Sequence, residues 1–133
     1  MSTPKRYIEA VGRRKTAVAR VRITEATKRV VVVNERELEN YFPTKELQAI
    51  IFSPFEAGEL MNTYSVSIKV SGSGIHAQAE AARHGLSRAI LKAEPAAKDG
   101  LKKLDMLKRD PRAVERKKFS LKKARKAPTW SKR

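Results

Sequence analysis

The chain has 133 residues, which suits one domain with an appendage, and its hydrophobic share of 41% with an aromatic share of 6% predicts a core of aliphatic side chains. Thirty Lys and Arg residues against fourteen Asp and Glu residues give a net charge of +16, which favours a polyanionic partner such as nucleic acid. The lack of cysteine excludes disulfides and thiolate chemistry, and no apolar run is long enough for a membrane span or a signal peptide.

Three short strands are predicted near the start of the chain. Tyr7–Val11 is the first, and a turn over Gly12–Lys15 leads to the second. Residues 16–23 alternate between apolar and polar positions, which is the period of a half-buried strand. The third covers Arg29–Val33. The inward positions of the second strand are Ala17, Ala19, Val21 and Ile23.

Helices and one further strand follow. A helical turn is predicted near residues 37–41, and Thr44 is the expected N-cap of the next helix. Residues 64–70 alternate clearly and predict a strand, which the turn Gly72–Gly74 joins to a long helix ended by Pro95. A last helix is expected to pack Leu101 and Leu104 inward. The predicted buried stripe of the long helix is Ile75, Ala79, Ala82, Leu86 and Ile90.

The charge divides the chain near residue 106. Residues 1–106 hold 18 basic and 12 acidic side chains, whereas residues 107–133 hold 12 basic and 2 acidic side chains. We therefore predict a globular domain over 1–106 and an extended basic tail over 107–133. The tail has few apolar residues, so it should become ordered only on a partner.

Two clusters of cations suggest contact with RNA phosphates. Arg13, Arg14 and Lys15 follow Gly12, which we expect to supply an unusual backbone angle, and Arg20 and Arg22 continue the cluster. A solvated turn is the alternative. The tail cations should bind phosphates in a salt-dependent way, with Phe119 and Trp130 as stacking faces, although a nonspecific solubilising tail fits the composition equally well.

The sequence carries no convincing sign of catalysis or of a cofactor. Gly72–Ala77 fits the spelling of a relaxed dinucleotide-binding fingerprint, but that motif needs a further strand after its helix and none is predicted. His76 and His84 lie eight residues apart, whereas a helical zinc pair needs a spacing of four. We expect no cofactor, no metal and no enzymatic activity.

Three segments resemble the bacterial small-subunit ribosomal protein S9 family (uS9). The segment from Gly72 to Ala89 is similar to the family signature, and the segment from Gly12 to Val21 is similar to its N-terminal motif. The tail matches at 110–112, 115–118, 123–125 and in the final Ser131-Lys132-Arg133. Ser73, Ser120 and the pair Thr129-Trp130 depart from the usual residues of the family.

The resemblance implies an α+β fold: a two-layer α/β sandwich with a four-stranded mixed sheet, helices packed on it and an extended basic tail. It also implies a cytoplasmic, ribosomal location in the head of the small subunit, at one copy per ribosome, bound to 16S rRNA and neighbouring head proteins. Ser131, Lys132 and Arg133 are expected to contact the anticodon stem-loop of peptidyl-site tRNA. The expected rRNA-binding residues are Arg13, Arg14, Lys15, Arg20, Arg22, Arg83, Arg88, Arg112, Arg116, Lys117, Lys118, Lys122, Lys123, Arg125, Lys126 and Trp130.

Two other classes of function stay open on the residues alone. A protein that coats the chromosome would explain the charge but not the ordered motifs. A small nucleotide-dependent enzyme would need the missing strand and a catalytic set of side chains.

Overall fold

The computed structural model describes residues 7–58, 60 and 62–112. These residues form a mixed α+β fold in which helices pack on one face of a sheet. The strands are β1 (Ile8–Arg14), β2 (Ala17–Glu25), β3 (Val30–Val33), β4 (Arg36–Glu37) and β5 (Tyr64–Ser71). The helices are α1 (Leu38–Tyr41), α2 (Lys45–Ala57), α3 (Ile75–Ala93) and α4 (Lys98–Lys103), with a 3-10 turn at Pro95–Ala97.

The sheet has the strand order β1-β2-β5-β3-β4. Its pairs are antiparallel except for β3 with β5, which run parallel, so the sheet is mixed as expected. The predicted alternation is confirmed in β2, where Ala17, Ala19, Val21 and Ile23 are buried. The residues between them lie on the opposite, open face of the sheet, and this face carries the cations described below.

The sheet has five strands rather than the four expected. Asn34 and Glu35 adopt positive φ angles of 49° and 67°, which turn the chain back so that β4 pairs with β3. The Asn34 side chain supports this turn by accepting from the Val70 amide at 2.9 Å and donating to the Val70 carbonyl at 2.9 Å. This hairpin was not predicted, because its two-residue turn is Asn-Glu instead of the usual Asn-Gly.

The predicted turn at Gly12–Lys15 was also too long. Strand β1 continues to Arg14, and the turn consists of Lys15 and Thr16, with Lys15 at φ 54°. Gly12 therefore does not supply the unusual backbone angle. It supplies space instead, because a Cβ atom at this position would lie 2.0 Å from the Ala81 carbonyl oxygen and 2.1 Å from the Gly85 nitrogen of α3.

The long helix α3 buries four of its five predicted stripe residues. Ala79, Ala82, Leu86 and Ile90 have no exposed surface, whereas Ile75 is 46% exposed. Helical side chains lean toward the N-terminus of their helix. Ile75 is the first residue of α3, so its side chain projects toward the preceding turn and not over the sheet.

The prediction for α4 was right at one of two positions. Leu101 is buried, but Leu104 is 61% exposed because the helix ends at Lys103. Asp105 then adopts φ 55°, and the amides of Asp105 and Met106 donate to the carbonyls of Lys102 and Leu101. This C-terminal capping arrangement turns the chain so that Met106, not Leu104, packs beside Leu101.

Candidate RNA interface

The open face of the sheet carries a group of cations on adjacent strands. Arg20 of β2 lies directly opposite Lys69 of β5, and Arg13 and Arg22 occupy outward positions on β1 and β2. Like charges directly opposite each other on two strands destabilise a sheet unless an anion lies nearby. Sequence reasoning missed Lys69, although the alternation of residues 64–70 already placed it on the outward face.

Glu9 neutralises part of this group. Its carboxylate lies 3.4 Å from Nε of Arg20 and 3.7 Å from Nε of Arg22. The Arg22 guanidinium also stacks 4.5 Å from the centre of the Tyr7 ring. Side chains of Arg20 and Arg22 remain about two-fifths exposed, at 42% and 38%, so both can still meet a partner.

The outer edge of β1 is covered by side chains that recur every four residues along α3. Nη1 of Arg88 donates to the Val11 carbonyl at 2.6 Å, and Nζ of Lys92 donates to the Glu9 carbonyl at 2.9 Å. The Arg13 amide donates to Nδ1 of His84 at 3.2 Å. Arg88 is exposed and keeps further N–H donors, so its bond to the strand leaves it able to contact RNA.

His84 joins this edge to the segment after α4. Its Nδ1 accepts from an amide, so the ring proton lies on Nε2, which faces the Leu107 carbonyl at 3.2 Å. Burial lowers the pKa of His84 below its ordinary value, while the bond to Leu107 acts in the opposite direction. The imidazole is therefore a neutral bridge between two backbone segments.

Arg14 lies inside the domain, unlike its neighbour Arg13. Its side chain is 11% exposed, and its Nε donates to the Glu80 carboxylate at 2.6 Å. Its Nη1 lies 3.0 Å from Oδ1 of Asp110 and donates to the Arg112 carbonyl at 2.6 Å. No motif in the sequence indicates this cluster, because the partners of Arg14 lie 66 to 98 residues further along the chain.

A second basic surface borders this cluster. A groove of about 370 Å³ lies between α3 and the segment after α4, and its cationic lining is Arg83, Lys108, Arg109 and Arg112. Asp110 also lines it, but Arg112 pairs with that carboxylate at 2.7 Å and holds its pKa far below the usual range, with a smaller contribution from Arg14. Of the four cations, the site prediction included Arg83 and Arg112 and omitted Lys108 and Arg109.

The remaining predicted site residues are Lys15 and the tail positions beyond Arg112. Lys15 is exposed at the β1–β2 turn. The prediction of an extended tail concerns residues that lie mostly outside the described part of the chain. The predicted tail contacts outside it are Arg116, Lys117, Lys118, Lys122, Lys123, Arg125, Lys126, Trp130, Ser131, Lys132 and Arg133.

The described ranges hold no group of three or more His, Asp or Glu side chains arranged for a metal ion. Among the helices seen between residues 7 and 112, none has the length and apolar character needed to cross a membrane. The arginine and lysine side chains on the open face of the sheet and in the groove form two candidate binding surfaces for phosphates.

Comparison with known proteins identifies the family. The sequence model described as "Ribosomal protein S9/S16" matches residues 12–133. The chain is also 48% identical over 133 residues to the "Small ribosomal subunit protein uS9" of Lawsonia intracellularis (strain PHE/MN1-00), and the match covers all of both chains. The chain belongs to the ribosomal protein S9/S16 family, which confirms the resemblance seen in its motifs. It is a structural constituent of the small ribosomal subunit and not an enzyme.

Proposed function

We propose that this chain binds 16S rRNA in the head of the small subunit through two basic surfaces and contacts peptidyl-site tRNA through its last residues. One copy per ribosome would also touch neighbouring head proteins. The proposed contact with rRNA rests on one observation: Arg20 and Lys69 lie opposite each other on neighbouring strands, on a sheet face that the described helices leave open. Two adjacent cations there are stabilised when a phosphate lies between them.

The open face suits an RNA backbone better than a base edge. Arg13, Arg20, Arg22 and Lys69 extend over three adjacent strands, and Glu9 lies beside Arg20 and Arg22. Neighbouring strands lie about 4.8 Å apart. Cations at this spacing can bracket successive phosphates, and such contacts fix position without reading sequence.

The groove lined by Arg83, Lys108, Arg109 and Arg112 is the second surface. The pairing of Asp110 with Arg14 and Arg112 leaves Asp105 as the other acid in its lining. A phosphate entering this groove would meet cations from α3 on one side and from residues 108–112 on the other. We therefore assign Arg83 and Arg112 to rRNA binding and add Lys108 and Arg109.

The tRNA contact is supported by the resemblance of the chain's ending to the family. Lys132 and Arg133 would hold the backbone of the anticodon stem-loop, with Ser131 donating a hydrogen bond, and such contacts serve every tRNA alike. Removal of Lys132 and Arg133 should weaken peptidyl-site tRNA binding while subunits still assemble. Equal tRNA affinity of truncated and intact subunits would contradict this assignment.

The rRNA contact can be tested with a double variant, Arg20→Gln with Lys69→Gln. Binding of the full chain to an rRNA fragment of the head should weaken. The slope of log K against log salt should fall by about 0.7 to 0.9 for each lost phosphate contact. A matched control is Lys28→Gln with Arg36→Gln, which removes the same charge at two exposed positions outside both basic surfaces. Equal losses in both double variants would mean that net charge alone drives binding.

Sedimentation in high salt separates this proposal from a chromosome-coating protein. A tagged copy bound specifically should comigrate with small-subunit rRNA through a sucrose gradient at high salt. A protein held only by nonspecific charge should be released to the top of the gradient, because such binding falls steeply with salt. Release would refute specific binding of 16S rRNA through the two basic surfaces.

A further inference from the structure

The segment that follows α4, including the first residues of the predicted tail up to Arg112, is fixed to the domain. The Met106 amide donates to the Leu101 carbonyl at 3.1 Å, and Met106 is buried. Nε2 of His84 faces the Leu107 carbonyl at 3.2 Å. The last described residues, up to Arg112, are then held by Arg14 of β1.

Arg14 makes this attachment with two ends of one guanidinium. Its Nε is directed at Glu80 of α3, while its Nη1 reaches the Asp110 carboxylate and the carbonyls of Asp110 and Arg112, at 3.4 Å and 2.6 Å. The Asp110 carboxylate in turn accepts from the Arg112 amide at 2.9 Å. The backbone from 110 to 112 is thus closed into a turn around a side chain that comes from another part of the chain.

From this geometry we infer that Arg14 is a positioning residue for the tail: it fixes residues 110–112, the last described residues before the remaining tail cations in the sequence. The inference rests on the proposed function, because it matters only if those residues contact RNA. It reassigns Arg14, which was predicted to bind rRNA, to a contact within the protein. The exposed Arg13 beside it keeps its assignment to RNA.

The guanidinium is suited to this role in a way that an ammonium is not. Arginine offers several N–H donors in a rigid plane, so one group can bind Glu80 on one side and the 110–112 turn on the other. Lysine would keep the charge but has one nitrogen atom, which cannot occupy both positions.

A fixed starting point should favour binding of the tail. Ordering a backbone costs roughly 1–2 kcal/mol per residue. Residues 107–112 are already ordered against the domain, so fewer tail residues remain to be ordered when RNA binds. A tether anchored near its target also has a higher effective concentration there than one anchored at a mobile point.

Hydrogen exchange of the free, full-length protein tests the attachment. In Arg14→Gln, the amides of Met106 and Arg112, which donate to the Leu101 carbonyl and the Asp110 carboxylate, should exchange about tenfold faster or more, while those of β5 keep the wild-type rate. Arg14→Lys should restore little of the protection, and Asp110→Ala should loosen the segment from its other side. Arg36→Gln, an equal loss of charge on β4, should change neither region. Wild-type exchange of the Met106 and Arg112 amides in Arg14→Gln overturns the inference.

Reconstituted subunits test the consequence for the tail. At equal incorporation into subunits, peptidyl-site tRNA should dissociate several-fold faster from Arg14→Gln particles than from Arg36→Gln particles. Equal rates, with the truncation of Lys132 and Arg133 showing an effect, overturn the positioning role. If the truncation itself has no effect, the proposed tRNA contact is wrong, and the exchange measurement alone decides the inference.

Discussion

Replacing Gly12 with alanine should disrupt the contact between β1 and α3. The added Cβ would lie 2.0 Å from the Ala81 carbonyl oxygen, 2.1 Å from the Gly85 nitrogen and 2.8 Å from the Gly85 Cα. All three atoms belong to the backbone of α3, so no side chain can rotate away. Ordinary contact begins near 3.4 Å, and the helix would have to move by about 1.4 Å, the difference between 2.0 and 3.4 Å.

Such a movement has a calculable cost. Overpacking a core typically costs about 1–3 kcal/mol. The bond from the Arg13 amide to His84, already 3.2 Å long, would be lost. Each lost hydrogen bond adds about 1 kcal/mol. The free energy of unfolding should therefore fall by about 3 kcal/mol, or by more if the Arg88 and Lys92 bonds to β1 also break.

Urea unfolding of the full chain measures this loss. A change of 3 kcal/mol should lower the midpoint by about 1–3 M, since slopes for small proteins are about 1–3 kcal/mol/M. The matched control is Gly74→Ala, because a Cβ at Gly74 meets no atom within 4 Å. That variant should stay within about 1 kcal/mol of the wild type. Equal stability of the two variants would refute the packing argument.

Two further predictions concern pH and the β3–β4 turn. Because burial lowers the pKa of His84 in the folded protein, the unfolded chain takes up this proton first as the pH falls below 6.5. The free energy of unfolding should then fall by up to about 1.4 kcal/mol per pH unit until the pKa of the folded protein is reached. Urea unfolding at several pH values should show a weaker dependence of stability on pH in His84→Gln. An unchanged dependence would contradict the neutral bridge. Asn34→Gly keeps the positive φ angle but loses two hydrogen bonds to Val70, which should cost about 2 kcal/mol. Asn34→Ala should lose about 1 kcal/mol more from the backbone strain, and equal midpoints for the two variants in thermal unfolding would show that the φ angle is unimportant.

The sequence revealed the features that depend on local periodicity. β2 and β5 alternate because one face of each strand is buried and the other is not, and the same burial gave α3 its stripe. The Thr44 N-cap was also predicted correctly, since its side chain accepts from the Leu47 amide three residues later. Each of these signals is contained within one element.

Other features depend on contacts between distant parts of the chain. Gly12 was predicted to be a turn residue because glycine is common in turns. Its close contact with the backbone of α3 could not be predicted, because Ala81 and Gly85 are distant from it in sequence. The sequence alone does not distinguish the three adjacent cations Arg13, Arg14 and Lys15. In the fold, Arg14 points to the helix side of β1 and is largely buried, whereas its two neighbours are exposed. The pairing of Arg14 with residues near 110 could be learned only from the fold.

The side chains that cover the β1 edge also limit pairing of the sheet with another copy of the chain. An unpaired strand edge is a template for a second copy of the same chain, and such pairing leads to aggregates. The carbonyls of Glu9 and Val11 and the amide of Arg13 are already occupied by Lys92, Arg88 and His84. The opposite edge, β4, is only two residues long. Within residues 7–112 as described, the two sheet edges therefore offer a second copy little free backbone for strand pairing.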